Sequence, residues 1–298
     1  MKTDKLSCEI DYQTVENYIF IATGDWRDQL YEDGFVVVKG VLSPERAKSY
    51  VGRMFEWLES FPAGMFHGYA VQHEKVTWDA RCEPKVIEAF SKLWGIDKLL
   101  VSFDGMNLTI PATDRPATEP WPHVDQSPLR KGMQCVQGIL NFATNGPKDG
   151  GLIVLKGSSK LNEQFFKAHS VQGRKTWGPS DWFGFEQEEV DWFLERSWEV
   201  LKVCAEPGDL IVWDSRTVHW NVLPDSQVTR AAMYFDKKVN LFKQRIRTTH
   251  WPHANIFPNN EKQLRLGKPD MYSRDRPYQE PEETDTLLKL AGVAPYES

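Results

Sequence analysis

The chain has 298 residues, of which 41% are hydrophobic and 26% charged, and a formal net charge of −6. That balance belongs to an ordinary globular protein with enough chain for a large core, and an acidic chain lacks the basic surface that a nucleic-acid partner demands. No apolar run approaches the ~18 residues of a membrane span. Residues 1–12 form no apolar leader, and Cys8, Cys82, Cys135 and Cys204 are widely spaced; both features are expected of free thiols in the cytoplasm.

In chain order, Asp25–Tyr31 reads as a short helix, Asp33-Gly34 as a turn and Phe35–Lys39 as a β-branched buried strand. Ser43-Pro44-Glu45 combines an N-cap, a Pro at the first helical position and an early acid. Ala47, Tyr50, Val51, Met54 and Leu58 then recur at helical spacing, with Phe55 and Trp57 as packing residues. Residues 61–82, with His67 and His73, read as a long loop with a lid as its alternative role. Glu83–Trp94 is a second helix ended by Gly95, Leu99–Ile110 is strand-like, and the Pro-rich segment 111–122 delivers the chain into His123. Asn107-Leu108-Thr109 fits a glycosylation sequon, which means little in a cytoplasmic chain.

Further strands are expected at Cys135–Phe142 and Leu152–Lys156, joined by Asp149-Gly150-Gly151 and ended by Gly157-Ser158-Ser159. A helix follows near Asn162–Ala168, and Phe183–Phe193 reads as an amphipathic surface helix. The next strands are Glu199–Cys204 and, after the turn Glu206-Pro207-Gly208-Asp209, one continuous run Leu210–Asn221. The tail is polar and Pro-rich until a short amphipathic helix at Glu283–Ala291, placed over the barrel or a neighbouring subunit.

Chemistry centres on Trp121-Pro122-His123-Val124-Asp125-Gln126. On a strand, residues two apart share a side, so His123 and Asp125 offer an imidazole and a carboxylate to one space. Alone this pair is weak, because seven His in a chain of this composition give roughly one His-x-acid by accident. His219 is the best third ligand, and two His with one carboxylate on one face is the non-haem Fe(II) arrangement. Leu223-Pro224-Asp225-Ser226 reads as a hairpin turn, which sets Arg230 directly opposite His219. A guanidinium there would grip the far carboxylate of a metal-chelating co-substrate such as 2-oxoglutarate.

These residues resemble the phytanoyl-CoA dioxygenase family of Fe(II)/2-oxoglutarate oxygenases. The likeness runs from about Tyr31 to about Phe235. It rests on Tyr31-Glu32-Asp33-Gly34-Phe35-Val36-Val37-Val38 with Ser43-Pro44-Glu45, and on His123-x-Asp125. It rests also on Gly150-Gly151-Leu152-Ile153-Val154-Leu155-Lys156-Gly157-Ser158, on Pro207-Gly208-Asp209, and on His219 with Arg230 eleven residues later. Two departures are Ser159 where the family often has His, and Asn221 where a smaller Ser is frequent.

The resemblance implies a mainly β fold, a double-stranded β-helix (jelly-roll, cupin-like) with flanking helices. The expected organisation is one domain: a helical part to about residue 98, the core at about 99–240 and an extension at about 241–298. It assigns iron to His123, Asp125 and His219, the 2-oxoglutarate tail to Arg230, and further co-substrate contacts to Asn107, Gln137 and Asn221. Fe(II), 2-oxoglutarate and O2 are the expected cofactors, with ascorbate as a stimulant. Asp at 125 leaves no open position for halide, so oxidation, hydroxylation foremost, of a small molecule in specialised metabolism is favoured over halogenation.

For the substrate, Trp78, Trp121, Trp213, Trp220 and Trp251 are candidate walls, each more readily a core residue. Arg216 reads equally as a substrate-carboxylate partner or as a partner of Asp214. His250-Trp251-Pro252-His253 reads as structural or as rim. A small molecule is the expected partner, with a homodimer left open. The competing classes are a jelly-roll binding protein without turnover and a zinc hydrolase on the same triad, which has no need of Arg230.

Overall fold

The structure is a computed structural model and describes residues 22–60, 71–102, 104–111, 119–169, 181–196, 199–238, 264–265, 268–269 and 277–296. His67, Trp251, the His250–His253 segment and Cys8 lie outside them.

The amino-terminal elements form where the local code demands. Helix α1 (Trp26–Asp33) starts at Asp25, whose side chain accepts from the Arg27 amide, and stops at Gly34 with φ of 80°. Strand β1 (Phe35–Val38) follows. Helix α2 (Pro44–Glu59) is capped by the Ser43 hydroxyl and buries Ala47, Tyr50, Met54, Trp57 and Leu58. Segment 75–81, expected within a loop, is instead helix α3 (Lys75–Arg81), burying Val76, Trp78 and Ala80. Its 3.6-residue pattern is too short to emerge from sequence, and packing on the core completes it. Helix α4 (Pro84–Trp94) ends at left-handed Gly95.

Then come β2 (Leu100–Val101), β3 (Met106–Thr109), β4 (His123–Val124), β5 (Val136–Asn141), β6 (Gly151–Leu155), α5 (Ser158–Ala168), β7 (Phe183–Gly184), α6 (Gln187–Leu194), β8 (Val200–Lys202), β9 (Leu210–Asp214), β10 (His219–Val222) and β11 (Arg230–Lys238). A two-stranded pair β12 (Leu264–Arg265) and β13 (Lys268–Pro269) and helix α7 (Asp285–Ala291) follow. The core strands form two antiparallel sheets, one in the order β1-β9-β5-β11-β2 with β3 also on β11, the other β7-β4-β10-β6-β8. This is the expected jelly-roll.

Alternation sorts each strand into two layers. On the six-stranded sheet Val36, Val136, Leu140, Val212, Ala231 and Met233 face outward into a core shared with the helices. The carboxy-terminal helix joins it through Leu287, Leu290 and Ala291. Phe35, Ile139, Ile211, Trp213 and Ala232 face inward, against Leu152, Val154 and Val203 of the other sheet. The five-stranded sheet turns Val124, Ile153, Leu155, Val218 and Trp220 outward onto Phe165, Phe183, Phe185 and Phe193. The segment 183–193 is therefore not a surface helix: Phe183 on β7, Phe185 just after it and Phe193 on α6 are three of those buried rings.

Two expectations about the last strands fail. The run 210–221 is not continuous but two strands in different sheets. Asp214 breaks it by accepting the backbone amide of Arg216 at 2.9 Å and its guanidinium at 2.7 Å, and by offering its carbonyl to Thr217. Nor do β10 and β11 form a hairpin: His219 stands opposite His123 and Val154, and Arg230 opposite Thr109. The amides of Asp225 and Ser226 donate to the Lys148 carbonyl at 2.9 and 3.1 Å instead of closing their own turn. A Cβ on Gly150 would lie 2.8 Å from the Pro224 nitrogen, so this close approach of two turns requires glycine. The connection thus crosses from one sheet to the other.

Candidate active site

His123 and His219 are directly paired across β4 and β10, with their rings 4.3 Å apart, and Asp125 lies just past the end of β4. The Asp125 amide donates to the Ser215 carbonyl at 2.8 Å, which draws this segment to the crossing between the sheets. Asp125 Oδ2 sits 3.3 Å from His219 Nε2 and 3.7 Å from His123 Nε2. Ligand atoms of the three residues all lie within 4.8 Å of one another. Two cis ligands at about 2.1 Å from one ion stand ~3 Å apart, so small movements complete the set. Both imidazoles are nearly inaccessible, at 4% and 3%, whereas the Asp125 side chain is 26% exposed.

The second nitrogen of each imidazole is held by backbone. His123 Nδ1 contacts the Trp121 carbonyl at 3.1 Å and His219 Nδ1 the Thr217 carbonyl at 2.9 Å. A carbonyl only accepts, so both Nδ1 atoms carry a proton and both Nε2 atoms face Asp125. Burial pushes the Asp125 carboxyl up, but with no cation between them protons on the two Nε2 atoms hydrogen-bond to it and, with their charge, hold it well below the usual carboxylate range; a bound cation would take the place of those protons. An anionic oxygen and two neutral nitrogens aimed at one point are a donor set for a divalent cation.

Around His219 the buttressing is dense. Thr217 Oγ1 donates to the Gly34 carbonyl at 2.9 Å, and the same carbonyl accepts from the Asp214 amide at 3.0 Å. The Val218 amide donates to Ser158 Oγ at 2.9 Å, and Ser158 donates to the Leu155 carbonyl at 2.7 Å. Asp33-Gly34 and Gly157-Ser158, far apart in sequence, therefore hold the crossing that ends in His219.

The inward face of the six-stranded sheet supplies polar groups beside the triad. Gln137 Nε2 donates to Asp125 Oδ2 at 2.8 Å. Trp213, opposite Gln137 in register, sets its ring against His219 edge-on at 5.4 Å. A cleft of about 310 Å³ opens here, lined by Gln137, Gly138, Trp213, Tyr234 and the segment Asp104–Met106. Arg230 is buried at 4% and donates from Nη2 to the Tyr234 hydroxyl at 2.8 Å. A Cβ on Gly151 would lie 2.9 Å from Arg230 Nε, so glycine makes the room for the guanidinium. Among the described residues, Arg230 Nε, Gln137 Oε1, Trp213 Nε1 and Asn221 Oδ1 are buried without a hydrogen-bond partner. Leaving such atoms unmatched costs about 1–3 kcal/mol each. The two donors among them fit an anionic, acceptor-rich ligand.

A protein of Aspergillus versicolor, "Ava biosynthesis cluster protein O", is 37% identical to the chain over 281 residues, covering 82% of this chain and 90% of that protein. The chain belongs to its family. No family model matches the chain. Two solved structures share the fold at 16% identity and a TM-score of 0.53. One is the epimerase SnoN in complex with Fe3+, alpha-ketoglutarate and nogalamycin RO, with 72% of this chain and 82% of SnoN aligned. The other is AviO1 of Streptomyces viridochromogenes, with 74% of this chain and 98% of AviO1 aligned.

In this member of the Ava protein O family, the residues expected to act together are distributed as follows. His123, Asp125, His219 and Gln137 gather at one end of the barrel interior, and Asn221 lies two residues beyond His219 on the same strand face. Asn107 shares the inward face of β3 and accepts from Thr109 Oγ1 at 2.9 Å. Arg216 is not free for a substrate carboxylate: Asp214 holds it through Nε and Nη2. Trp220 faces the outer cluster and Trp78 the helical core, so neither is a wall of the site. Sequence reasoning missed Tyr234, Thr217 and the second role of Gly151. Tyr234 was within reach, because it lies four residues beyond Arg230 on the same strand face; Thr217 and Gly151 act through contacts between distant segments, which leave no local pattern.

Proposed function

We propose that the protein is an Fe(II)- and 2-oxoglutarate-dependent oxygenase of the phytanoyl-CoA dioxygenase type, acting by oxidation, hydroxylation foremost, on a small organic molecule of specialised metabolism. The observation that carries this reading is the convergence of His123 Nε2, His219 Nε2 and Asp125 Oδ2 on one point, with buried Arg230 beyond it on the facing sheet. The biosynthetic-cluster relative supports the metabolic setting, and SnoN supports the fold's capacity for the cofactor pair.

In this reading His123, Asp125 and His219 would hold the iron. Bound iron with 2-oxoglutarate and O2 supplies oxidising power, with succinate and carbon dioxide as by-products. The protein's own contribution is orientation. The Trp121 and Thr217 carbonyls fix both imidazole tautomers, and Gln137 fixes the carboxylate by donating to it. Arg230, turned by Tyr234 and given space by Gly151, would receive the far carboxylate of 2-oxoglutarate through its guanidinium. The low accessibility of both imidazoles keeps bulk water from the reacting side.

One experiment tests this. Fe(II) and 2-oxoglutarate are added without oxygen, and a visible metal-to-ligand charge-transfer band is expected; oxygen is then admitted and succinate assayed. A protein that binds the metal but gives neither band nor succinate rejects the oxygenase and leaves the zinc-hydrolase or binding-protein class.

A further inference from the structure

The mouth of the site has two unlike sides. Toward the six-stranded sheet it is polar, with Gln137, Tyr234 and Arg230 running away from Asp125. Over His123 it is aromatic. Trp121 stacks on the His123 imidazole with ring centres 4.4 Å apart and planes within 6°, yet it remains 46% exposed. One indole face lies against the imidazole, so the opposite face and the edges form the exposed part. Trp182 approaches the same imidazole at 5.9 Å and is 38% exposed. Its path is cleared by Gly184, which stands opposite His123 on β7: a Cβ there would lie 2.6 Å from the Trp182 ring. Both rings are thus held against His123 while much of their surface stays exposed.

We propose that Trp121, with Trp182 beside it, is the stacking platform for the substrate, and that the substrate is a small molecule carrying a planar aromatic or conjugated ring. This rests on the oxygenase reading, in which the polar side is taken by 2-oxoglutarate and the substrate must approach over His123. A ring laid on the open face of Trp121 lies one stacking step beyond the indole that covers His123, so a substituent reaching past the indole edge is the part that meets the reacting position. Offset stacking on a fixed indole selects planarity and tolerates varied substituents.

The test uses the full chain with Mn(II) and 2-oxoglutarate, and two probes with one carbon skeleton and one hydroxyl, planar 2-naphthol and saturated decahydro-2-naphthol. Binding is followed by proton NMR titration, in which the paramagnetic ion also reports nearness to the metal. The wild type is expected to bind 2-naphthol about three- to tenfold more tightly. Trp121→Ala is expected to erase that preference, Trp121→Phe to keep most of it, and Trp182→Ala to reduce it. Equal affinities in the wild type, binding of neither probe, or an undiminished preference in Trp121→Ala overturns the proposal. The Fe(II) band, read first on each protein, tells failure of the oxygenase reading apart from failure of this one. Its persistence in Trp121→Ala shows that the metal site itself is intact.

Discussion

On the five-stranded sheet the inward face at the mouth holds His123, His219 and Asn221; on the six-stranded sheet the facing positions hold Gln137, Trp213, Arg230 and Tyr234. The first set offers nitrogen lone pairs to a cation. The second offers N–H and O–H groups, with a fixed positive charge, to an anion. Asp125 belongs to neither sheet's regular ladder, being tied to the crossing at Ser215 and to Gln137 at once. The difference teaches that cation and anion recognition are separable here: changes around the triad, Gln137 included because it donates to Asp125, are expected to affect the metal, and changes around Arg230 the co-substrate.

The largest effect is expected where the two sets meet. Asp125→Ala removes the only anionic member of the triad, and Fe(II) affinity is expected to fall by more than about 100-fold, with succinate formation lost. Gln137→Leu leaves the carboxylate but frees it to rotate, which for an outer partner is worth about 10–100-fold in metal affinity. Equilibrium dialysis of iron measures both. An Asp125→Ala protein that retains wild-type iron affinity removes Asp125 from the ligand set.

Next in size is Arg230→Ala, on the anion side alone. Truncating a buried, charge-bearing partner typically costs about 2–5 kcal/mol, so the dissociation constant of 2-oxoglutarate is expected to rise about 30- to 4,000-fold. Iron affinity is expected to stay within about threefold of wild type. Isothermal titration of the Mn(II)-loaded protein against 2-oxoglutarate checks it, and an unchanged constant rejects the anchor. Equal damage to metal binding would break the separation of the two sheets.

The metal side was far more legible in the sequence than the geometry linking it to the anion side. His123 and Asp125 are neighbours in the chain, so period-two alternation alone puts them together. Arg230 was found through an opposed hairpin register that the molecule does not have. The fold brings Arg230 in from the facing sheet, and only the length of its side chain and the gap at Gly151 let it reach the interior. Capped helices such as α2 were legible because caps and amphipathic spacing are local. The break at Asp214 was not, because the partners that stabilise it, Gly34, Cys135 and Arg216, include residues 180 and 79 positions away. The loop reading of 75–81 failed for the same reason, since α3 owes its helix to burial of Trp78 and Ala80.

Gly34→Ala sharpens the comparison from the outside. Gly34 is on neither ligand strand, yet its carbonyl holds Thr217, which holds His219. An added Cβ meets Thr217 Oγ1 at 2.5 Å and Ser159 Oγ at 2.9 Å, at a φ of 80° that alanine resists. The expected loss is about 1–3 kcal/mol of stability, seen as a lower Tm, together with weaker iron binding at unchanged Arg230 function. Gly95→Ala is the control: its φ of 65° is also left-handed, but nothing lies within 4 Å of the added Cβ. It is expected to lower stability without touching iron affinity, and equal losses of iron affinity in both variants would refute a specific buttress at Gly34.

The smallest expected effect is a pH dependence confined to the anion side. Lys202 donates to Asn145 Oδ1 and to the Val203 carbonyl, and Asn145 shares with Arg230 the space left by Gly151. Burial, with the nearby Arg230 charge, lowers the Lys202 ammonium from its ordinary range to about 8, although Cys204 and Asp149 oppose the shift. Lys202 is charged below that pH and neutral above it, while both carboxylates of 2-oxoglutarate stay ionised throughout. A carboxylate on Arg230 therefore gains a second cation nearby only on the acidic side. A partly exposed charge at this remove is worth about 0.2–1 kcal/mol, so the dissociation constant of 2-oxoglutarate is expected to rise about 1.5- to fivefold between pH 6.5 and 9. Lys202→Met flattens that rise if Lys202 causes it; a slope that survives the substitution assigns the dependence to another group. Iron affinity is expected to show no matching Lys202-dependent step: β8 lies in the same sheet as the two histidines, but the Lys202 ammonium reaches Asn145 and the neighbourhood of Arg230 and not the triad.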